Sequence, residues 1–211
     1  MSANEIERLT ELAVVSRETV DRLERFVALF RKWSGAINLV APSTLAQVWE
    51  RHVLDSAQLY ALDPKPQNWL DLGSGGGFPG IVMAILLLES EGGFVDLVES
   101  NRKKAAFLQR AIAETGARGR VHALRIEDAA RQLKGQTAIS ARALADLNGL
   151  LDYAAPWMRA GATGYFHKGR DYRREIDEAR RSWSFDLLEH QSMVDADSVI
   201  LQIYNLQKRG G

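Results

Sequence analysis

One ten-residue segment, DLGSGGGFPG at 71–80, constrains the fold of this 211-residue chain more than any other. It contains five glycines and directly follows the apolar pair Trp69-Leu70. Glycine permits positive φ angles and lets a ligand approach the backbone closely. In open α/β sheets, ligands bind at the carboxyl ends of the strands. The segment therefore predicts a strand, a ligand-binding loop and the start of a helix.

Short apolar segments alternate with helical segments after this loop. We predict strands at 69–72, 94–99, 121–124 and 138–141, and helices at 79–88, at 102–115 and from about 146. This alternation is typical of a mostly parallel sheet with right-handed crossovers. Further extended segments at 164–167, 183–194 and 198–206 come last. Because the final two flank the short polar turn 195–197, they predict a terminal antiparallel hairpin added to the sheet.

The chain before the glycine loop has a helical pattern. Apolar residues recur every three or four positions from 16 to 33, with Ser16 as a candidate N-cap and Gly35 as a stop. A second helix is predicted at 45–59, before the linker at 63–66. We therefore divide the chain into an N-terminal helical extension, 1–62, and a Rossmann-like domain, 63–211.

Composition narrows the function classes. Lysine plus arginine equals aspartate plus glutamate at 27 each, so net charge gives no indication of a nucleic-acid partner. The chain has no cysteine, and its four histidines are scattered, so we expect neither disulfides nor a metal site. The longest apolar run, at 81–88, is too short to span a bilayer. With an acidic N-terminal stretch and no apolar leader, we expect a cytoplasmic protein without membrane contact.

Two ligand patterns overlap in the glycine segment. Residues 75–80 match G-x-G-x-x-G of dinucleotide-binding proteins, whereas 71–77 match D-x-G-x-G-x-G of methyltransferases that use S-adenosylmethionine. The Asp71 carboxylate would repel a pyrophosphate but attract an ammonium and a sulfonium, which favours S-adenosylmethionine. Glu99 ends the next strand, where a carboxylate can accept hydrogen bonds from ribose hydroxyls. Ile126 and Glu127 follow the third strand, where the adenine is expected.

Local charge indicates an RNA partner. From 101 to 125 the chain has seven cations and one acid, a difference of +6, which is suited to holding phosphates. Arg142 follows a predicted strand at the ligand-facing edge, where a guanidinium can contact a phosphate or a base. Phe78, Tyr153 and Trp157 are candidates for stacking on a base.

Six sequence blocks carry a family resemblance. They are NLV at 38–40, RHVLDS at 51–56, WLDLGSGGGFPGI at 69–81, VESNRKKAAFL at 98–108, SARAL at 140–144 and HKG at 167–169. In these blocks the chain resembles the bacterial small-subunit ribosomal RNA guanine-N7 methyltransferases, also called glucose-inhibited division protein B.

The resemblance implies a class I methyltransferase fold with a mostly parallel seven-stranded sheet. It further implies S-adenosylmethionine as the donor and a guanine of 16S ribosomal RNA near the decoding region as the acceptor. Arg142 is then the catalytic candidate, at the mouth of the active site. Taken together, the residues expected to bind the donor are Asp71, Gly73, Gly75, Gly77, Phe78, Glu99, Ile126, Glu127 and Arg142. Those expected to contact RNA are His52, Arg102, Lys103, Lys104 and Lys168.

The expected partner is 16S ribosomal RNA or an assembly intermediate of the small subunit, bound by a monomer. Three alternatives stay open at this point. One is a methyltransferase acting on a small molecule or a protein, another a nicotinamide-binding oxidoreductase, and the third an RNA-binding module without catalysis. Methyl transfer by the first would not depend on RNA or on salt. The second would bind nicotinamide instead of the methyl donor, and the third would bind the donor without turnover.

Overall fold

A computed structural model describes residues 2–40 and 42–210. Its centre is one seven-stranded sheet in the order β3-β2-β1-β4-β5-β7-β6. The strands are β1 (Asn68–Leu72), β2 (Phe94–Val98), β3 (Gly119–His122), β4 (Ala138–Arg142), β5 (Thr163–Lys168), β6 (Trp183–Gln191) and β7 (Val199–Lys208). The first five are parallel, and β7 runs antiparallel between β5 and β6. The predicted class I architecture with its terminal hairpin is thereby confirmed.

Eight α-helices lie in the described part of the chain. They are α1 (Ala3–Leu12), α2 (Arg17–Ser34), α3 (Asp55–Leu62), α4 (Gly80–Leu86), α5 (Arg102–Thr115), α6 (Ile126–Gln132), α7 (Leu147–Met158) and α8 (Tyr172–Ser182). In α2, the Ser16 side chain accepts a hydrogen bond from the Thr19 N–H, so Ser16 is the predicted N-cap. No helix in this part of the chain is long and apolar enough to cross a membrane.

The helix predicted at 45–59 is wrong as a single regular element. The segment instead forms a 3₁₀-helix at Pro42–Gln47, a π-helix at Trp49–Leu54 and then α3. In the π-helix, His52, Val53 and Leu54 are all buried. A π-helix is rare, and single π turns occur frequently at functional sites.

The N-terminal helices share a hydrophobic core with the sheet. Phe26 and Phe30 of α2 lie 5.1 and 5.0 Å from Phe78, between ring centroids, and both also contact Phe107 of α5. All four rings belong to one buried cluster that continues into β1 and β2. The boundary predicted at 62/63 marks a change of secondary structure, and the helices before it pack against α4 and α5, which lie on one face of the sheet. A second cluster, with α6, α7 and α8, covers the other face.

Strand register brings the chain's polar motifs to one edge. Leu72, the last residue of β1, is paired with Val98 of β2 and with Ala141 of β4. Arg142 is paired in turn with His167 of β5. Because these strands are parallel, the residues that follow them emerge side by side.

Candidate active site

The glycine loop joins β1 to α4 and is fixed to the end of β2. Gly73, Gly75 and Gly77 have φ angles of +66°, +51° and +85°, which L side chains rarely adopt. The Ser74 N–H donates to the Val98 carbonyl at 3.0 Å. The loop therefore curves over the carboxyl ends of β1 and β2 with its backbone exposed to a ligand.

Glu99 holds this loop from the neighbouring strand. One of its carboxylate oxygens accepts a hydrogen bond from the Gly75 N–H at 2.9 Å, and the other accepts one from the Asn101 N–H at 2.7 Å. Its side chain is buried, with the residue 8% exposed. A carboxylate has about four lone-pair sites. Glu99 thus keeps acceptor capacity for a pair of hydroxyl groups while it fixes the loop.

A cleft of about 260 Å³ lies between the glycine loop and the end of β3. Glu99 lines it beside Gly73 and Gly75, and Ile126 and Glu127 line the far side. Ile126 is half-buried and packs on the core, whereas Glu127 is exposed. The cleft therefore offers a buried carboxylate, an exposed one, an apolar wall and bare backbone, which is a set of groups suited to a nucleoside.

A second cleft, of about 450 Å³, lies on the other side of the loop. It shares Gly73, Gly75, Lys104 and Ala143 with the first cleft. Its remaining wall is formed by Leu39, Val40, His52, Ser74, Gly76, Phe78 and Arg142. A ligand seated on the glycine loop can therefore extend from the nucleoside cleft to the guanidinium of Arg142.

Arg142 is held rigidly where the second cleft meets α3. Its Nη1 donates to the Asp55 carboxylate at 3.3 Å and to the Arg51 carbonyl at 3.1 Å, and its Cζ lies 5.5 Å from the Phe78 ring centroid. Burial lowers the pKa of Arg142, while Asp55 raises it again. An arginine stays protonated at neutral pH, so the cleft has one fixed cation.

His52 contributes a neutral ring to the same wall. It stacks on Phe78 with centroids 5.1 Å apart and an interplanar angle of 30°. Burial, reinforced by the charge of Arg142, lowers the pKa of His52 to about 4. The imidazole is therefore uncharged at neutral pH, and any contact with RNA would be through a neutral ring.

Asp71 lies beneath the loop, away from both clefts. It is only 1% exposed, and Oδ1 accepts a hydrogen bond from the Ser140 hydroxyl at 2.8 Å. Oδ2 lies against Gly80, where a Cβ would be 2.5 Å away. Burial raises the pKa of Asp71 to about 6. The expectation that this carboxylate attracts a ligand ammonium does not match such an enclosed position, which instead ties β1 to β4 through Ser140.

Lys168 also differs from its expected role. Its Nζ donates to Glu175 Oε2 at 2.6 Å and to the Ala145 carbonyl at 2.8 Å, and its side chain is 7% exposed. Glu175 Oε2 in turn accepts a hydrogen bond from the Leu147 N–H at 2.7 Å. This pair fixes the segment between β4 and α7, so Lys168 is placed as a structural residue and not as an RNA contact.

Two of the three stacking candidates lie elsewhere than expected. Trp157 is buried in the core, and its indole N–H donates to the Leu133 carbonyl. Tyr153 lines the nucleoside cleft. Phe78 remains beside Arg142 in the second cleft, although its ring is buried against α2.

The basic segment 101–125 divides into two groups. Arg118, which precedes β3, donates to the Leu87 and Ser90 carbonyls at the opposite end of the sheet. The first turn of α5, by contrast, has three cations, of which Lys104 lines both clefts beside the glycine loop. These are Arg102, Lys103 and Lys104.

Sequence reasoning did not identify Asp55 and His167 as site residues. Asp55 is 87 positions away from its partner Arg142, so no local pattern joins the two residues. His167 Nε2 lies 3.0 Å from the Asp55 carbonyl, in a contact between α3 and β5. In the described residues, no group of three or more histidines, aspartates or glutamates is arranged to hold a metal ion.

Comparisons with known proteins match this geometry. The family described as GidB, rRNA small subunit methyltransferase G, matches residues 19–204. A relative named Ribosomal RNA small subunit methyltransferase G from Rhizobium meliloti is 61% identical, over 92% of this chain and 93% of its own length. A relative with the same name from Allorhizobium ampelinum is 59% identical, over 99% of both chains.

Solved structures share the fold at low identity. A putative O-methyltransferase from Klebsiella pneumoniae superposes with a TM-score of 0.57, at 14% identity over 97% of both chains. Fibrillarin from Aeropyrum pernix, in complex with S-adenosyl-L-methionine, gives 0.54 at 16% identity, over 73% of this chain and 75% of that one. By its match over most of its length, the chain belongs to the rRNA small subunit methyltransferase G family.

Proposed function

We propose that this protein transfers a methyl group from S-adenosylmethionine to N7 of a guanine in 16S ribosomal RNA, near the decoding region. The observation that carries the proposal is the continuous path from the Glu99 cleft, over the glycine loop, to Arg142. The names of the relatives supply the substrate class, ribosomal RNA of the small subunit. Such RNA is found in the cytoplasm, where we place the protein.

The residues of the first cleft fit the methyl donor. Gly73 and Gly75 present bare backbone, the Glu99 carboxylate would accept hydrogen bonds from both ribose hydroxyls, and Ile126 would pack on the adenine. When bound, S-adenosylmethionine supplies a methyl group on a cationic sulfur. Glu127 lies where it can reach the polar edge of the adenine from the exposed side.

The acceptor side needs orientation and no general base. Guanine N7 carries a lone pair that is unprotonated at neutral pH, so no side chain has to remove a proton. Correct orientation of two reactants supplies roughly 7 to 11 kcal/mol in well-aligned systems. Arg142, held by Asp55 and Arg51, is rigid enough to orient a base. Because His52 is neutral, it adds no positive charge beside a purine that becomes cationic on methylation.

The target base must leave its helix to reach this site. The major groove of A-form RNA, where N7 lies, is too deep and narrow for side chains to enter, so we expect an unpaired or extruded guanine. Arg102, Lys103 and Lys104 would hold the surrounding phosphates. Cations in the first turn of a helix oppose its dipole, at a cost of about 0.3 to 1 kcal/mol each. An external anion beside Lys104, which lines both clefts, would offset this cost.

Transfer of labelled methyl groups tests the proposal directly. Purified protein is incubated with methyl-labelled S-adenosylmethionine and 16S RNA, presented as naked RNA, assembly intermediates and complete small subunits. We expect incorporation into at least one form, at a single guanine that becomes sensitive to cleavage specific for 7-methylguanine. Protein that binds S-adenosylhomocysteine yet labels none of the three RNA forms would exclude the proposed activity.

A further inference from the structure

A third cavity, of about 350 Å³, opens beside Arg142 at the carboxyl ends of β4 and β5. It shares Arg142 and Ala143 with the 450 Å³ cleft, so the two spaces adjoin. Its volume falls at the lower end of the range for small-molecule pockets. The donor residues Glu99, Ile126 and Glu127 do not line it. The cavity is thus adjacent to the reacting end of the donor site and separate from the nucleoside cleft.

The wall of this cavity carries a fixed pair of opposite charges, Asp55 and Arg142. Their side chains are 15% and 18% exposed, so both are largely enclosed yet reachable. Gln58 Nε2 donates to Asp55 Oδ1 at 3.1 Å, and Arg142 Nη1 donates to Asp55 Oδ2 at 3.3 Å. Each oxygen therefore has one described partner and a remaining lone pair. A guanidinium has five N–H donors, so Arg142 also has donors beyond its two described bonds.

The other charges of the cavity are already matched. Lys168 and Glu175 also line it, but their 2.6 Å ion pair satisfies them against each other and against the backbone of 145–147. Asp55 and Arg142 form the other pair of opposite charges in the wall. Side by side, they present a donor followed by two acceptor positions.

This order of groups is complementary to one base. We propose that the Asp55–Arg142 pair reads the Watson–Crick edge of the target guanine, with Arg142 donating to O6 and Asp55 accepting from N1–H and the 2-amino group. The inference rests on the proposed function and assigns its base specificity. The Asp55–Arg142 pair thus resembles the Watson–Crick edge of cytosine, which presents the same order of one donor and two acceptors to guanine. Adenine would instead turn its N1 lone pair toward the carboxylate, which is repulsive.

The same placement directs N7 toward the donor. O6 and N7 are neighbouring acceptors on the edge of guanine. With O6 on Arg142, which lines both spaces, N7 faces the 450 Å³ cleft that contains the glycine loop. Asp55 is therefore assigned as a specificity residue that touches the base, contributed by the helical segment that precedes the sheet.

Binding of nucleotides tests the assignment without requiring methyl transfer. Guanosine, inosine and adenosine 5′-monophosphates are titrated into the protein, with and without S-adenosylhomocysteine, by ligand-observed NMR, which detects weak binding. A hydrogen bond to a charged group is worth about tenfold in affinity. We expect the guanosine nucleotide to bind about tenfold more tightly than inosine, which lacks the 2-amino group, and more tightly still than adenosine.

Asp55→Asn replaces one acceptor by a donor, so it should remove the preference for guanosine over inosine and adenosine. Its affinity for S-adenosylhomocysteine should stay near that of the wild type, because Asp55 does not line the 260 Å³ nucleoside cleft. Asp195→Asn, which removes an exposed carboxylate near Arg51, is the matched control and should keep the preference.

Three results would overturn the assignment. They are equal binding of guanosine and adenosine nucleotides to the wild type, no detectable guanosine nucleotide binding to it, or an unchanged preference in folded Asp55→Asn. A wild type that binds the guanosine nucleotide but not S-adenosylhomocysteine would instead contradict the proposed donor and leave the base pocket standing.

Discussion

Replacing Asp71 by asparagine tests whether this carboxylate contacts the methyl donor or only supports the fold around the glycine loop. In the structure its Oδ1 accepts from the Ser140 hydroxyl, and its Oδ2 packs against Gly80 without a described hydrogen-bond partner. An asparagine can preserve both contacts, because its oxygen can face Gly80 while the Ser140 hydroxyl rotates to accept from its amide. We therefore expect Asp71→Asn to bind S-adenosylhomocysteine within about threefold of the wild type, a difference below about 0.7 kcal/mol. Asp71→Ala loses both contacts and should bind more weakly.

The buried charge of Asp71 predicts a second, larger effect, on the pH dependence of the free energy of unfolding. Burial raises the pKa of Asp71 from 3.8 to about 6. Two pKa units correspond to about 3 kcal/mol. Because the pKa is raised in the folded state, this stabilisation is fully present below about pH 3.8 and is lost as the pH rises through about 6. Asparagine carries no charge, so the variant loses none of its free energy of unfolding through this titration. The free energy of unfolding of Asp71→Asn, relative to the wild type, should therefore increase by up to about 3 kcal/mol from pH 4 to pH 7.5.

Urea unfolding of both proteins across this pH range measures the difference directly. The histidines whose pKa values burial lowers, His52 and His167, titrate in both proteins and cancel in the comparison. Calorimetric titration with S-adenosylhomocysteine at pH 7.5 gives the affinities. If folded Asp71→Asn bound as weakly as Asp71→Ala, the carboxylate would be a donor contact after all. A stability difference that did not change with pH would refute the reasoning from burial.

Four further substitutions test other parts of the site. Gly75→Val places a β-branched side chain at a φ of +51° on the donor face, so calorimetry should find no S-adenosylhomocysteine binding in a protein that still folds. Arg142→Ala should lower the rate of RNA methylation at saturating donor much more than it lowers donor affinity. Lys168→Met leaves the half-buried Glu175 without its cation, so urea unfolding should show a loss of up to about 3 kcal/mol. Lys103→Ala should weaken RNA binding and reduce the slope of log K against log salt by about 1, as filter binding would show.

Local sequence signals predicted most of the sheet and several helices. The helix predicted at 102–115 matches α5, because Asn101 caps its start and Gly116, at a φ of +64°, ends it. Strand β1 and the glycine loop were predicted for the same kind of reason, since an apolar run and a group of glycines lie next to each other in sequence. Helix α8 was missed because only Ile176 and Ala179 among its residues are buried, so its apolar periodicity is weak.

The partners of charged side chains could not be predicted in this way. Asp71 was expected at the ligand because it ends a strand, but Ser140, which is 69 positions away, encloses it. Lys168 was expected on RNA, but Glu175 of the unpredicted α8 neutralises it. A charged residue at the end of a strand has the same charge and the same position in the sequence whether it contacts a ligand or forms a buried ion pair. Only the packing of distant elements distinguishes them.

Because of this packing, different parts of the chain form the nucleoside cleft and the acceptor side of the site. The nucleoside cleft is built by the loops after β1, β2 and β3, which any chain with this sheet order brings together. The acceptor side depends on residues 1–62, which supply Leu39, His52 and Asp55, while α2 supports the Phe78 ring from behind. A donor loop alone therefore does not determine which base is methylated. If Asp55 reads the guanine, the helical segment that precedes the sheet sets the specificity of the enzyme, and its shared core with the sheet fixes that segment against the reacting end of the donor.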